Sequence, residues 1–303
     1  MNFFLQIFFV LKILLYNFFL VSQLFSQNPE DVNLIANIYN SLTTETKQSI
    51  SSLQAMQETG FSSNHAGILF PWDSAQLCKE RMTSDVAIKR LMYQLELNRD
   101  YYGFLFLNNP TVDSHILDAG CGCGISAVLM SKRFDCYVDG YTLGNQEVEC
   151  AQALAKQNNC SSKLKIAQGN MLKLPVQDNS YDVVWMSESS EYIHSLSDLF
   201  GEMRRVAKNQ ARFILFTGCA KNKSVKKRID DLYHMCLHSI KDYLVAAKKN
   251  NFKIVHQQKL KEWVTPYFNF IIDGYLGETD NQLILSSVSG ELDYYLLCFD
   301  IQK

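Results

Sequence analysis

The sequence carries no surplus of positive charge. Its 29 Lys and Arg are matched by 31 Asp and Glu, giving a formal net charge of -2 over 303 residues. A nucleic-acid partner would require many phosphates to be neutralised, so this balance argues against one. Paired metal ligands are also missing. Cys121-Gly-Cys123 is not a Cys-x-x-Cys pair and no second Cys/His pair at ligand spacing follows it, which argues against a zinc site. The nine cysteines are odd in number and lie mostly inside periodic segments. That suits reduced thiols in a cytosol better than a disulfide framework. There is no Asp-Asp-x-x-Asp cluster; Asp230-Asp231 comes nearest and reads as a solvated helix face. Internal repeats are absent.

The N-terminus lacks the parts of a standard targeting segment. Residues 1–26 are nearly all apolar and about as long as a membrane span. No basic region precedes them, Lys12 sits mid-run, and Gln6 and Asn17 interrupt it, so neither a signal peptide nor a clean transmembrane helix fits. Three readings stand: a signal anchor, a lipid-facing amphipathic helix, or translated sequence upstream of the true start. The expected location is accordingly cytoplasmic, or membrane-associated through residues 1–26, with a membrane as partner only in the second case. Oligomeric assembly is left open.

What is present is a long alternation of elements. Of the residues, 47% are hydrophobic, enough for one large domain with a helical extension. Residues 28–60 carry weak helical periodicity, 61–72 are rich in turn formers, and 74–107 repeat apolar residues at helical spacing. From His115 the pattern alternates: strands over 115–118, 135–141, 163–168, 180–187 and 211–217, with helices over 125–132, 145–157 and 196–207. Helix is expected from Gly218 to about 249, then a strand from Phe252 and a last strand over 292–301 that closes an antiparallel hairpin. Such alternation predicts an α/β fold, a Rossmann-like doubly wound sheet with an N-terminal helical extension and an inserted helical lid. The expected division is a hydrophobic segment 1–27, a helical cap 28–107 and a catalytic domain 108–303 with an acceptor-site insertion at about 220–290.

The first of these strands ends in Asp118-Ala-Gly120-Cys-Gly122-Cys-Gly124 and opens a helix. Glycines there let the backbone turn with positive φ and approach a ligand, while the helix offers unpaired N–H groups. The dinucleotide spacing Gly-x-Gly-x-x-Gly is not met, and Asp118 sits where a diphosphate would be repelled. A carboxylate there suits an ammonium group, such as the amino-acid end of S-adenosylmethionine.

This loop resembles motif I of the class I methyltransferases. Gly140-Tyr-Thr142-Leu-Gly-Asn-Gln146 is similar to a Gly-x-Thr-Leu-Ser-x-x-Gln segment shared by the sterol, cyclopropane-fatty-acid and prenyl-diphosphate C-methyltransferases. The resemblance implies that Thr142 and Gln146 meet the ribose or carboxylate end of the cofactor, Thr142 replacing the usual acidic ribose ligand. It also implies that Asn170 and Met171 hold the adenine. Trp185-Met-Ser-Glu188-Ser-Ser-Glu-Tyr192-Ile resembles the Trp-Asn-Asn-Glu-Ser-x-x-Tyr-Val segment of bacterial geranyl diphosphate 2-C-methyltransferases. Thr217-Gly-Cys219, Ile229 to Ser239 and Trp263-Val-Thr-Pro-Tyr267 resemble further segments of that family, so the likeness runs from about residue 61 to the end.

The resemblance implies methylation of an alkene carbon of a prenyl diphosphate, an isoprenoid substrate. Such a reaction passes through a carbocation, which aromatic faces stabilise and a carboxylate deprotonates. Glu188 is the candidate base, Tyr233 a candidate catalytic aromatic residue, and Trp263 and Tyr267 candidate substrate-binding walls. Plainer roles exist for each: a helix cap for Glu188, core packing for the aromatic residues. The diphosphate needs cations. Lys79, Arg81, Arg99 and the run Lys221, Lys223, Lys226, Lys227 and Arg228 are candidates, with Mg²⁺ as a further cofactor beside S-adenosylmethionine and its ligands unassigned. The family's His-Tyr-Gly-Ile is His65-Ala-Gly-Ile68 here, and Pro266-Tyr267 continues as Phe268-Asn-Phe-Ile. Both departures touch the acceptor pocket, so isopentenyl or farnesyl diphosphate stands beside geranyl diphosphate. The alternatives are a sterol- or fatty-acyl-type C-methyltransferase, another small-molecule methyltransferase, or a binding protein that kept the fold and lost transfer.

Overall fold

The computed structural model describes residues 96–271 and 282–303. Residues 1–27, most of the expected cap, the loop bearing His65, and both Lys79 and Arg81 lie outside the described residues. Helix α1 covers 96–104. It is followed by β1 (His115–Ala119), α2 (Ile125–Phe134), β2 (Tyr137–Thr142), α3 (Asn145–Gln157), β3 (Leu164–Gln168) and β4 (Tyr181–Ser187). Then come α4 (Leu196–Val206), β5 (Ala207–Ala220), α5 (Lys223–Tyr233), α6 (Ile240–Lys249), β6 (Phe252–Lys259), α7 (Lys261–Ile271), α8 (Gln282–Ser289) and β7 (Leu292–Ile301).

The strands form one seven-stranded sheet in the order β3-β2-β1-β4-β5-β7-β6. The first five run parallel; β7 lies antiparallel between β5 and β6. Helices cover both faces, which is the expected doubly wound, Rossmann-like architecture. Alternation along each strand splits the core in two. Val184, Met186, Phe213 and Leu215 face Leu199, Phe200 and Met203 of α4 and Tyr243 of α6. Val183, Trp185, Ile214 and Phe216 face Phe104 of α1, Met130 of α2 and Ala151 of α3.

Three expectations are corrected. The strand expected to begin at Ala211 starts at Ala207 and runs to Ala220, its first residues pairing beyond a bulge between Tyr181 and Val183. The stretch after Gly218 is not one helix. His234 takes a left-handed conformation at φ 52° that ends α5, and a capping box between Ser239 and Asp242 starts α6 afresh. The final two strands pair antiparallel but are joined by α7 and α8 rather than by a hairpin turn. The stretch at about 220–290 therefore contributes helices in two places, after β5 and between β6 and β7, with sheet-layer elements between them.

Helix α1 matters most for the site. It buries Arg99, Asp100 and Phe104, Leu107 is buried just beyond it, and Gly103 lies flat on the sheet. A Cβ at Gly103 would stand 2.5 Å from the Trp185 ring and 2.7 Å from that of Phe216. Only glycine allows this approach, and it brings two charged side chains to the carboxyl ends of β1 and β4. Among the described residues no helix is long and apolar enough to cross a membrane.

Candidate active site

The strand order reverses between β1 and β4, so the loops after these strands diverge and leave a crevice, the usual ligand position in such sheets. The loop after β1 bends back at once. Gly120 and Cys121 both donate N–H bonds to the carbonyl of Tyr141, at 2.8 and 3.0 Å. Gly120, Gly122 and Gly124 have φ of 80°, 50° and 76°, a region that side chains disfavour. Gly120 is pressed between two later loops: a Cβ there would lie 2.4 Å from Cβ of Ser189 and 3.0 Å from Cε of Met171. Ser189 fixes the arrangement by donating to the carbonyl of Ala119 at 2.8 Å.

Asp118 is 2% exposed and its Oδ2 is buried without a hydrogen-bond partner. Burial, then Asp100, push its pKa up to about 8, while Arg99 and the Ala127 N–H pull the other way. A buried carboxyl oxygen with no protein donor, at the start of a glycine loop, has the chemistry to receive a cationic group. The ammonium of S-adenosylmethionine fits it.

Thr142 is buried at the end of β2, and its hydroxyl donates to the carboxylate of Glu147, itself 5% exposed on the first turn of α3. The acidic group that the sequence lacks at the strand end thus returns from the helix. Oε1 of Glu147 lies 3.7 Å from where a Gly122 Cβ would be, so it borders the same loop. Gln146 is half-buried beside it. After β3, Oδ1 of Asn170 accepts the N–H of Leu172 at 2.9 Å, and Met171 packs against the core cluster that contains Tyr141. The structure therefore gathers Asp118, Gly120, Gly122, Thr142, Gln146, Asn170 and Met171 around one end of the sheet.

Glu188 follows β4 in a left-handed conformation, φ 52°, with its N–H bonded to the Phe216 carbonyl at 3.0 Å. Its side chain is 20% exposed. Oε1 accepts from the Tyr294 hydroxyl and lies 3.4 Å from Nη1 of Arg99. Arg99 in turn holds Asp100 through two bonds of 2.9 and 2.6 Å, and Ser126 of α2 donates to Asp100 at 2.7 Å. Burial works against the charge of Arg99, but Asp100, Tyr294 and Glu188 outweigh it and keep the guanidinium protonated. Its carbon stands 5.9 Å over the Phe216 ring. Arg99 is thus not available for a diphosphate, contrary to expectation: it is 2% exposed and committed to two carboxylates.

A second carboxyl went unassigned in the sequence. Glu191 is 4% exposed. It accepts from the Gly218 N–H at 2.8 Å, Thr217 Oγ1 at 3.0 Å and Ser190 Oγ at 3.1 Å; Tyr243 reaches both hydroxyls at 2.8 Å. Burial, then Glu188, raise its pKa to about 7.

The other aromatic candidates have the following neighbours. Tyr233 ends α5 and packs with Ala220, Ile229, Leu237 and Leu292. Trp263 is half-buried with its ring 5.1 Å from that of Tyr102. Tyr267 is 2% exposed and donates to Glu96 at 2.8 Å. The ring that reaches Glu188 is Tyr294, stacked 6.4 Å from Phe216. His238 bonds the Ile193 carbonyl at 2.7 Å, and burial lowers its pKa.

Of the expected cation run, Lys226 and Lys227 pair with Asp230 and Asp231 one turn on, and Arg228 with Glu291. Lys221 converges with two lysines the sequence did not single out. Lys221 and Lys259 lie 3.3 and 2.8 Å from Asp293, and the amine of Lys261 borders Gly290 with that of Lys221. Asp293 precedes Tyr294, so these amines crowd the same end of the sheet as Glu188. Among the described residues no group of three His, Cys, Asp or Glu could hold a metal ion.

Comparison with known proteins agrees with this geometry. Residues 117–215 match the family described as a methyltransferase domain. A geranyl diphosphate 2-C-methyltransferase of Saccharopolyspora erythraea is 27% identical over 255 residues, 82% of this chain and 89% of that protein. A sterol 24-C-methyltransferase of Gibberella zeae is 31% identical over 48% of this chain and 41% of its own length. The crystal structure of a geranyl diphosphate C-methyltransferase from Streptomyces coelicolor A3(2), in complex with Mg²⁺, geranyl diphosphate and S-adenosyl-L-homocysteine, shares the fold. Its TM-score is 0.75 at 23% identity, covering 91% of this chain and 99% of that one. The chain carries a methyltransferase domain and over most of its length is similar to the geranyl diphosphate 2-C-methyltransferases.

Proposed function

We propose that this methyltransferase alkylates an alkene carbon of a prenyl diphosphate, with Glu188 as the base. The observation that carries the reading is the placement of Glu188: a carboxylate at the carboxyl end of β4, 20% exposed, next to Ser189, which bonds the start of the glycine loop, and backed by a buried guanidinium. S-adenosylmethionine supplies a methyl group on a sulfonium sulfur that leaves as a neutral thioether. Asp118 holds the ammonium, and Glu147 with Thr142 borders the ribose end. The alkene π pair forms the new carbon–carbon bond, leaving a cation on the neighbouring carbon. Glu188 attracts that cation and takes a proton from a carbon next to it, and the C–H pair becomes the new double bond. Tyr294, stacked on Phe216, is a ring in contact with this carboxylate.

Lys221, Lys259 and Lys261 gather three amines around the single carboxylate of Asp293, a positive surplus that supports a phosphorylated acceptor over an uncharged sterol. A magnesium ion would arrive with the diphosphate, since Mg²⁺ is commonly held by phosphate oxygens and water with few protein ligands. Incubation with labelled cofactor and isopentenyl, geranyl or farnesyl diphosphate, the corresponding alcohols and a sterol tests the reading. Methylation of one diphosphate, with a product mass and double-bond position matching proton loss beside the new branch, is expected. Turnover of the alcohols or sterol alone would refute it.

A further inference from the structure

We infer that Tyr294 and Arg99 are positioning residues for Glu188: together they hold its carboxylate in place and ionised while the acceptor is methylated. This rests on Glu188 being the base. Both contacts fall on one oxygen, Oε1: the Tyr294 hydroxyl donates to it and Nη1 of Arg99 stands 3.4 Å away. The backbone beneath is already constrained, because Glu188 has φ 52° and donates its N–H to Phe216. A glutamate on a tight left-handed turn would otherwise sweep several rotamers. Two anchors on one oxygen hold that oxygen in place.

The anchors are themselves braced. Tyr294 stacks on Phe216, and β7 places it opposite Gly218 at the end of β5. Arg99 is clamped by Asp100, and Asp100 by Ser126 on the helix that the cofactor loop opens. Burial and Glu188 push the Tyr294 phenol well above its ordinary range, so it stays a donor throughout. A carboxylate that receives a hydrogen bond and faces a guanidinium ionises more readily than one in an apolar wall. That matters because the pocket must be dry enough to protect a carbocation, and dryness alone would protonate the base. Glu191 opposes the anchors, being a buried carboxyl close enough to feel Glu188. Among the described residues the charged and titratable groups facing Glu188 include Arg99 from α1, Tyr294 from β7 and Glu191 from its own turn.

The test is the pH profile of turnover with the identified acceptor, together with a ¹³C titration of the Glu188 carboxyl in the whole protein. Tyr294→Phe keeps the ring and its stacking and removes only the donor. The loss of a hydrogen bond to a charged group should move the acid limb of kcat up by about one to two pH units. On the acid side of the wild-type limb turnover should then fall roughly ten- to hundredfold by the same shift, whereas the alkaline plateau falls only a few-fold and the KM for cofactor holds. The shift should persist in a Glu191→Gln background, which separates it from the titration of that residue. Arg99→Gln combined with Asp100→Asn, which removes a buried pair without leaving one charge alone, should move the limb the same way. An unmoved limb and an unmoved carbon titration in folded Tyr294→Phe would overturn the inference and leave Tyr294 as packing. Failure of the base reading looks different: Glu188→Gln would turn over at the wild-type rate.

Discussion

Replacing Asp118 by asparagine separates recognition of the cofactor's charge from the shape of its loop. The amide keeps an acceptor for the Ala127 N–H and removes a carboxyl that burial and Asp100 hold at a pKa of about 8. In the unfolded chain the same carboxyl titrates near ~3.9. Between about pH 4 and pH 8 the native protein therefore binds a proton that the unfolded chain has released, and the stability of the cofactor-free protein falls as pH rises through that window. Asp118→Asn should remove this slope and raise the Tm of the cofactor-free protein at pH 8. Binding should show the reverse trade. The ion pair with S-adenosylmethionine holds one proton, on the amine. At pH 6.5 the separate partners hold nearly two, since an α-amine titrates at about 7.7–8.0, so about 0.9 proton is released per cofactor bound. Near pH 8 the exchange vanishes, and at pH 9 about 0.8 proton is taken up. In Asp118→Asn the release at pH 6.5 should drop to about zero and the affinity weaken roughly ten- to hundredfold, the scale of one hydrogen bond to a charged group. Calorimetry in buffers of different ionisation enthalpy reads the proton count and Kd together. No proton release from the wild type at pH 6.5, or an asparagine variant that binds as tightly, would refute the assignment of Asp118 to the ammonium.

Three further outcomes are expected. Glu188→Gln keeps shape while removing the base, so turnover should fall by roughly two to four orders of magnitude with cofactor affinity little changed; near-normal turnover would send the search for the base to His238 or the diphosphate. Gly122→Val should abolish cofactor binding in a folded protein. The nearest atom to a Cβ there is 3.7 Å away, so a loss measured by calorimetry reports ligand space and φ 50° rather than a clash inside the empty loop. Gly103→Ala should lower stability by about 1–3 kcal/mol through overpacking against Trp185 and Phe216, which thermal denaturation measures; an unchanged Tm would mean that α1 sits farther from the sheet.

Much of the fold was legible because its signals are local. The helix over 145–157 and the strand over 292–301 were read to the residue, and the glycine loop announced itself through spacing alone. The misreadings share a cause: they depend on partners distant in sequence. Helix α5 ends at His234, whose left-handed conformation no single residue type dictates. Strand β5 gains its first residues only by pairing past a bulge with β4. The cofactor end behaves likewise. Thr142 was legible by resemblance, whereas Glu147 read as one more polar residue on a helix until the fold set it against the Thr142 hydroxyl.

Around Glu188 the same limit bears on the chemistry. Its two anchors are 89 and 106 residues away, and neither is marked in sequence as a partner of Glu188: Arg99 reads as a candidate cation for the diphosphate and Tyr294 as part of an alternating strand. What joins them is topology. Because β7 enters between β5 and β6, Tyr294 falls opposite Gly218 and so beside the turn that follows β4. That turn holds two glutamates three residues apart, and sequence alone gives no reason beyond resemblance to prefer one as base. Their surroundings separate them. Glu191 is 4% exposed, is bonded by an amide and two hydroxyls, and titrates near neutrality. Glu188 is 20% exposed and faces a guanidinium. A base for a carbocation must reach the substrate and carry charge when it does. Only the glutamate with both an opening and a cation meets that demand, and the buried one serves to tie the end of β5 to the turn.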